Sequence, residues 1–151
     1  MQLFVMRHGE AAAGADADAN RELTPQGQAD VQAMATQYQH KLAPIDEIWS
    51  SPYVRAQQTA VILSDVINKP VIQQDWLTPT DNSDHLMNTL KECNKTILVV
   101  GHQPYVGTLV DRLADLEPGR YRMGTGSLAC IELELLAYRC GELKWLHHPE
   151  V

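Results

Sequence analysis

Two histidines in this 151-residue chain each stand directly behind a short apolar run. Arg7-His8-Gly9 follows Leu3 to Met6, and Gly101-His102 follows Thr96 to Val100. A third polar group, Ser51-Pro52-Tyr53-Val54-Arg55, follows Ile45 to Ser50. A neutral imidazole is a nitrogen nucleophile, and a guanidinium is a planar fork that grips anionic oxygens two at a time. A lone surface histidine or arginine is usually only a solvated side chain. Three such groups, each just past a predicted strand, are a different matter. In open α/β sheets ligands bind beyond the carboxyl ends of the strands, so two imidazoles and two guanidinium groups would meet at one sheet edge. That set suits phosphoryl transfer, which needs positioning and positive charge on the equatorial oxygens.

The elements that must deliver these groups are readable from periodicity. Leu3 to Met6 reads as a buried strand, and residues 9–22 as a long functional loop. Thr24-Pro25 opens a helix, with Thr24 as N-cap and Pro25 in the first turn. Val31, Met34, Ala35, Tyr38 and Leu42 share its apolar face, and Pro44 ends the run. Ile45 to Ser50 is a second strand, leading to a helix over about 53–67 striped by Ala56, Ala60, Leu63 and Ile67. Val71 to Gln74 reads as a short strand, 75–84 as loop, and Leu86 to Leu90 as a modest helix. Thr96 to Val100 is β-branched enough for burial on both faces, and a helix on Tyr105, Val106, Leu109, Val110 and Leu113 follows. Leu128 to Leu136 and Tyr138 to Trp145 pair as a hairpin around Arg139-Cys140-Gly141. Alternating strands and helices predict one domain over 1–151 of α/β class, a three-layer α/β/α sandwich with a mostly parallel central sheet and a C-terminal hairpin.

Composition excludes several classes. The formal net charge is −7, which argues against broad nucleic-acid or anionic-membrane binding. No apolar run reaches the ~20 residues of a membrane span, and the N-terminal run stops at Arg7 without a signal-peptide pattern. Cys93, Cys130 and Cys140 lack metal or redox spacing and read as reduced thiols of a cytoplasmic protein. No Gly-rich loop with Lys-Ser/Thr is present, which disfavours nucleotide triphosphate chemistry.

Four ordered segments carry a family resemblance: Arg7-His8-Gly9, Leu23-Thr24-Pro25-Gln26-Gly27, Ser51-Pro52-Tyr53-Val54-Arg55-Ala56-Gln57-Gln58-Thr59, and Gly101-His102. Together they resemble the histidine phosphatase (phosphoglycerate mutase-like) superfamily over most of the chain. Met6 to Ala12, Arg21, Trp76-Leu77-Thr78-Pro79 and His102 to Gly107 are most similar to its short bacterial SixA-type phosphohistidine phosphatases. The resemblance implies a phosphoglycerate mutase-like fold and a catalytic set of His8, Arg7, Arg55 and His102. His8 would attack phosphorus and carry the phosphate as a covalent intermediate. Neighbouring arginines should keep its ring neutral, and a backbone hydrogen bond to its other nitrogen would fix the tautomer. His102 would donate to a non-bridging oxygen. Arg21 matches a position that reaches the phosphate or the substrate protein. Gly9 and Ser127 are expected to line the substrate pocket. The amides near Gly124-Thr125-Gly126-Ser127 form either an anion nest or a simple turn. No metal and no cofactor is implied, since the arginines supply the positive charge.

What the chain lacks sets the expected substrate. Phosphomonoesterases of this superfamily carry a Glu or Asp between the Arg55-type and His102-type motifs that protonates the departing alkoxide. Here Asp75-Trp76-Leu77-Thr78-Pro79-Thr80-Asp81 has no Glu in that context. A missing acid costs about 10²–10⁴ in rate for an alcohol leaving group, and little for an imidazole. A phosphohistidine is therefore the expected substrate, with a small-molecule phosphomonoesterase or mutase as the alternative. Asp75, Asp81, Asp84 and His85 are the groups whose loop positions leave a proton-donor role open, while Glu10 reads as a structural contact or pKa tuner. Only 47 positions separate Arg55 from His102, too few for a large lid. An uncovered pocket admits a side chain presented by a protein, such as a histidine-containing phosphotransfer domain, to a monomeric enzyme. His147-His148 reads as ordinary surface histidine, His40 as a helix-end residue, and Trp49, Trp76 and Trp145 as core or edge packing.

Overall fold

Alternation along the first strand sorts the core into two halves. β1 (Gln2–Arg7) sends Leu3 and Val5 to one face and Phe4 and Met6 to the other, as a period of two requires. The computed structural model describes residues 1–149. In it β1 lies inside a six-stranded sheet completed by β2 (Glu47–Ser50), β3 (Val71–Gln73), β4 (Ile97–Gly101), β5 (Leu128–Leu133) and β6 (Gly141–His147). The order is β3-β2-β4-β1-β5-β6. β3, β2, β4 and β1 run parallel, and β5 pairs antiparallel with β1 and β6. The sheet is mixed, with its C-terminal hairpin at one edge.

Helices cover both faces. α1 (Pro25–Gln37) and α2 (Val54–Ile67) pack Val31, Met34, Ala56, Ala60 and Leu63 against Phe4 and Met6. α3 (Ser83–Lys91) and α4 (Tyr105–Leu113) pack Leu86, Leu90, Val106 and Leu109 against Leu3 and Val5. β4 is buried along its whole length, which its apolar run anticipates. Thr24 caps α1 by accepting from the Gly27 amide at 2.9 Å. The helix ends at Gln37 rather than running on to Pro44; turns carry Tyr38 and Leu42 the rest of the way, preserving the apolar face without helical geometry. α3 is longer than its apolar residues suggest, because Asn82 caps it from the Asp84 amide.

The start of α1 touches the loop behind β1 at Gly27. A Cβ there would sit 2.1 Å from the Glu10 carbonyl oxygen, a backbone contact that cannot rotate away. Gly27→Ala should therefore cost about 1–3 kcal/mol, in the range of overpacking. A urea denaturation midpoint unchanged from the parent protein would contradict this contact.

Candidate active site

Three adjacent parallel strands end together. Arg7 pairs in register with Gly101, the His8 amide donates to the Gly101 carbonyl at 3.0 Å, and the Ser51 amide donates to Val100 at 3.1 Å. His8, His102 and Ser51 thus emerge at one sheet edge, and α2 begins there with Arg55. His8, Arg55 and His102 are all nearly buried, and the two imidazole rings stand 5.2 Å apart.

Each imidazole is held in one tautomer. His8 Nδ1 lies 2.7 Å from the Gly9 carbonyl oxygen; a carbonyl only accepts, so Nδ1 carries the proton and Nε2 keeps its lone pair. Arg55 Nε donates to that lone pair at 3.2 Å. His102 Nε2 lies 2.6 Å from Ser51 Oγ. Ser51 is fully buried and its oxygen accepts from the Tyr53 amide. Among the described residues His102 Nε2 is the acceptor within reach of its proton, and a buried hydroxyl proton is normally satisfied, so Ser51 donates to Nε2 and His102 Nδ1 carries the N–H. That Nδ1 is buried without a partner, and so is Arg7 Nε. Buried polar groups are normally satisfied. Two orphan donors in one cationic cup are therefore places for an oxyanion.

The electrostatics agree. Burial first, then Arg55, Arg7 and Arg21, lower the His8 pKa to about 4, against the opposing hydrogen bond that His8 donates to the Gly9 carbonyl. Burial and then its imidazole and guanidinium neighbours lower that of His102 to about 3. Burial and Arg55 also lower the Arg7 pKa. Both rings are neutral at pH 7. In the unfolded chain each histidine returns to about 6.5, so between roughly pH 4 and 6.5 the unfolded state binds protons that the folded state refuses. Stability then falls as pH falls. Together the pair should remove about 3–4 kcal/mol between pH 7 and pH 5, and His8→Ala/His102→Ala should flatten that dependence. A urea midpoint in the parent protein that is level across this range would contradict the neutral pair.

The motif residues around Arg55 form a frame. Thr59 Oγ1 accepts from the Gly9 amide at 3.1 Å and donates to the Arg55 carbonyl at 2.8 Å. Gln58 accepts from the Leu23 amide at 2.7 Å, and Gln57 donates to the Ser51 carbonyl at 2.8 Å. Met123 O, from the loop before β5, receives Arg7 Nη1 and Gln103 Nε2, each at 3.2 Å.

Several expected site residues are placed differently. The Gly9 amide is taken by Thr59, so Gly9 serves the site through its carbonyl on His8. The Gly126 amide donates to Arg7 and His8 carbonyls, and the Ser127 amide to Gly124. These two amides are consumed in a turn and form no anion nest. Ser127 Oγ meets His148 Nδ1 at 2.6 Å, while His148 itself stays exposed, as expected of a surface histidine. His147 stacks on Tyr38 at 4.1 Å. Arg21 is held by loop partners, the Ala12 carbonyl at 2.8 Å and Asp18 Oδ1 at 3.2 Å, and among the described residues no hydrogen bond joins it to either imidazole.

Sequence reasoning passed over Asp18, whose short 3-10 turn (Asp18–Asn20) breaks the long loop. Its Oδ2 accepts from Arg55 Nη2 at 3.2 Å and its backbone oxygen from Arg55 Nη1 at 2.8 Å. Arg21 and then Arg55 hold its carboxyl below the usual range, so it stays ionised and is a poor proton donor. The i,i+3 spacing of Asp18 and Arg21 announces their own ion pair but not the contact with Arg55. Of the other candidate donors, three are engaged elsewhere. Asp75 accepts from Gln73 at 2.6 Å, Asp84 holds Tyr138 and Arg112, and His85 stacks on Trp76 at 4.5 Å. Asp81 keeps one carboxylate oxygen buried without a partner. Among the described residues no hydrogen bond or ion pair joins any of the four to His8, His102, Arg7 or Arg55. Glu10 accepts from Thr24 Oγ1 at 3.0 Å, a structural contact as expected.

Comparison with known proteins agrees with this geometry. The chain is 34% identical to the phosphohistidine phosphatase SixA of Escherichia coli over 89% of its own length and 86% of the relative's. It is 30% identical to a SixA homolog of Haemophilus influenzae over 75% and 77%. The solved structure of the protein histidine phosphatase SixA complexed with tungstate superposes with a TM-score of 0.85 at 31% identity, covering 99% of this chain and 97% of that one. A phosphoserine phosphatase of Entamoeba histolytica shares the fold at 20% identity, with a TM-score of 0.73 and coverage of 99% and 98%. A family model matches residues 3–89, a stretch holding three of the four motifs, and with the SixA relatives it establishes that the chain belongs to the histidine phosphatase superfamily (branch 1).

Proposed function

We propose that this protein is a phosphohistidine phosphatase that removes phosphate from a histidine of another protein through a phosphorylated His8. The observation that carries the reading is the His8 ring itself: neutral, protonated on Nδ1, with Nε2 turned toward a cup whose Arg7 Nε and His102 Nδ1 have no partners. The phosphoryl oxygens take those two donors and the Arg55 fork, which loosens its hold on Nε2. Nε2 attacks phosphorus as the P–N bond to the substrate imidazole breaks, and the departing ring keeps the electron pair and is protonated by water. A water molecule then attacks the phosphorus of phospho-His8. Phosphate leaves, and the neutral ring is restored.

An imidazole departs without a positioned acid, and Asp18, the carboxylate that among the described residues is hydrogen-bonded to Arg55, is held ionised. The substrate is accordingly a P–N compound, carried by a protein such as a histidine-containing phosphotransfer domain. The enzyme acts as a single-domain monomer in the cytoplasm. Similarity to SixA supports the reaction, and the arrangement of His8, Arg7, Arg55 and His102 supports their roles. The test is kcat/KM for a phosphohistidine protein beside sugar and aryl phosphates. A preference for the phosphohistidine protein is expected; a preference for the esters would point to the small-molecule reading instead. Asp18→Asn should leave the rate on phosphohistidine within about tenfold. A loss of 10²–10⁴, the range of a removed general acid, would make Asp18 the proton donor.

A further inference from the structure

The basic side chains are unevenly distributed over the fold. Lys41, Lys69 and Lys95 precede β2, β3 and β4, at the sheet edge opposite the cup. Arg7, Arg55 and Arg122 lie at the cup edge, where the loop before β5 also brings Arg120. Arg112 and Arg139 are paired with Asp84 and Asp115. Arg120 and Arg122 are exposed, and among the described residues neither has a carboxylate within ion-pair distance. In a chain of net charge −7, these two arginines put unpaired positive charge beside the cup, available to an anionic partner.

A groove of about 580 Å³ runs between the 119–124 segment and α4, with Pro104, Gly107, Tyr121 and Met123 contributing apolar surface and Arg122 on its wall. It adjoins the cup through its lining residues: Gln103 follows His102 in the chain, and Met123 O binds Arg7. Tyr121 is 42% exposed, and Arg120 lies 5.6 Å from its ring. The one carboxylate lining the groove, Asp111, has one oxygen tied to the Gly119 amide and the other buried. Across the cup the loop over 10–22 carries Glu10, Asp16, Asp18 and Glu22. With Arg21 as its single cation that loop is net acidic, whereas the 111–122 segment balances Asp111, Asp115 and Glu117 against Arg112, Arg120 and Arg122 and concentrates its unpaired positive charge at Arg120 and Arg122.

We infer that this groove is the docking surface for the substrate protein, and that it takes an acidic shoulder flanking the phosphohistidine. The inference rests on the phosphohistidine reading above and adds a polarity: carboxylates of the partner face Arg120, Arg122 and Tyr121, and its neutral or basic side faces the 10–22 loop. Rim charges of this kind steer association and suppress wrong partners.

Two phosphohistidine peptides test it, one flanked by glutamates and one by lysines, with phosphoramidate as a small P–N substrate that cannot reach the groove. The glutamate peptide should show roughly tenfold higher kcat/KM at low salt, an advantage that fades as salt is added. Arg120→Glu/Arg122→Glu should remove or invert that preference and leave phosphoramidate turnover unchanged. No preference in the parent protein, a preference that survives the double substitution, or an equal loss on phosphoramidate would each overturn the docking surface. Turnover of phosphoramidate with neither peptide hydrolysed would instead take down the phosphoprotein reading, and the docking surface with it.

Discussion

His8→Ala should abolish turnover, with a loss on the order of 10⁶ in kcat, the scale seen when a covalent nucleophile is removed. The size follows from what Nε2 does that nothing else in the cup can. Arg7, Arg55 and His102 offer only N–H groups toward the substrate, so once the His8 lone pair is gone no atom remains to accept the phosphoryl group. The substitution also removes a neutral buried ring, which relieves the proton-binding penalty at low pH. His8→Ala should therefore be folded and no less resistant to acid than the parent protein while being catalytically dead. Single-turnover kinetics with a phosphohistidine peptide check the first part and urea denaturation at pH 5 the second. A residual rate within a hundredfold of the parent would remove His8 from the nucleophile's position.

His102→Ala should cost about 2.7–4 kcal/mol in the barrier, the range for losing one preorganised donor to a developing oxyanion. Its Nδ1–H has no partner in the resting site and is aimed by the Ser51 hydroxyl on the far side of the ring. The donor therefore needs no reorganisation when the phosphoryl oxygens arrive. The loss should fall on kcat more than on KM, because the charge on those oxygens matters most in the transition state. Ser51→Ala should cost less than His102→Ala, since it frees the ring orientation without deleting the donor. Steady-state kcat and KM for the two variants separate these effects. A near-parental rate for His102→Ala would contradict its assignment.

Much of this was legible in the sequence because it depends on position along a strand. Arg7, His8 and His102 stand one or two residues past apolar runs, Arg55 follows a helix-start signature, and parallel strands must bring such residues to a common edge. The backbone partner of His8 and the lowering of its pKa follow from the same placement. What escaped depends on side chains crossing between loops. Asp18 reaches Arg55 only because its loop folds back through a 3-10 turn, and nothing in the spacing of residues 9–22 fixes that path. Gly9 and Ser127 were expected to line the pocket, and the amides over 124–127 read equally as a nest or a turn; the Gly9 amide goes to Thr59 and the Ser127 amide into the turn. The contact of His148 with Ser127 arises only once β6 brings the two together. The end of α1 was misplaced because turns over 38–44 keep Tyr38 and Leu42 on the buried side just as another helical turn would.

The most direct measurement is the position of the phosphate in the trapped intermediate. A phosphohistidine substrate mixed briefly with the enzyme and quenched in base should leave acid-labile phosphate on the peptide containing His8. The phosphorus should be bonded to Nε2, because Nδ1 keeps its proton for the Gly9 carbonyl. Phosphate on Nδ1, or on any residue other than His8, would contradict the account.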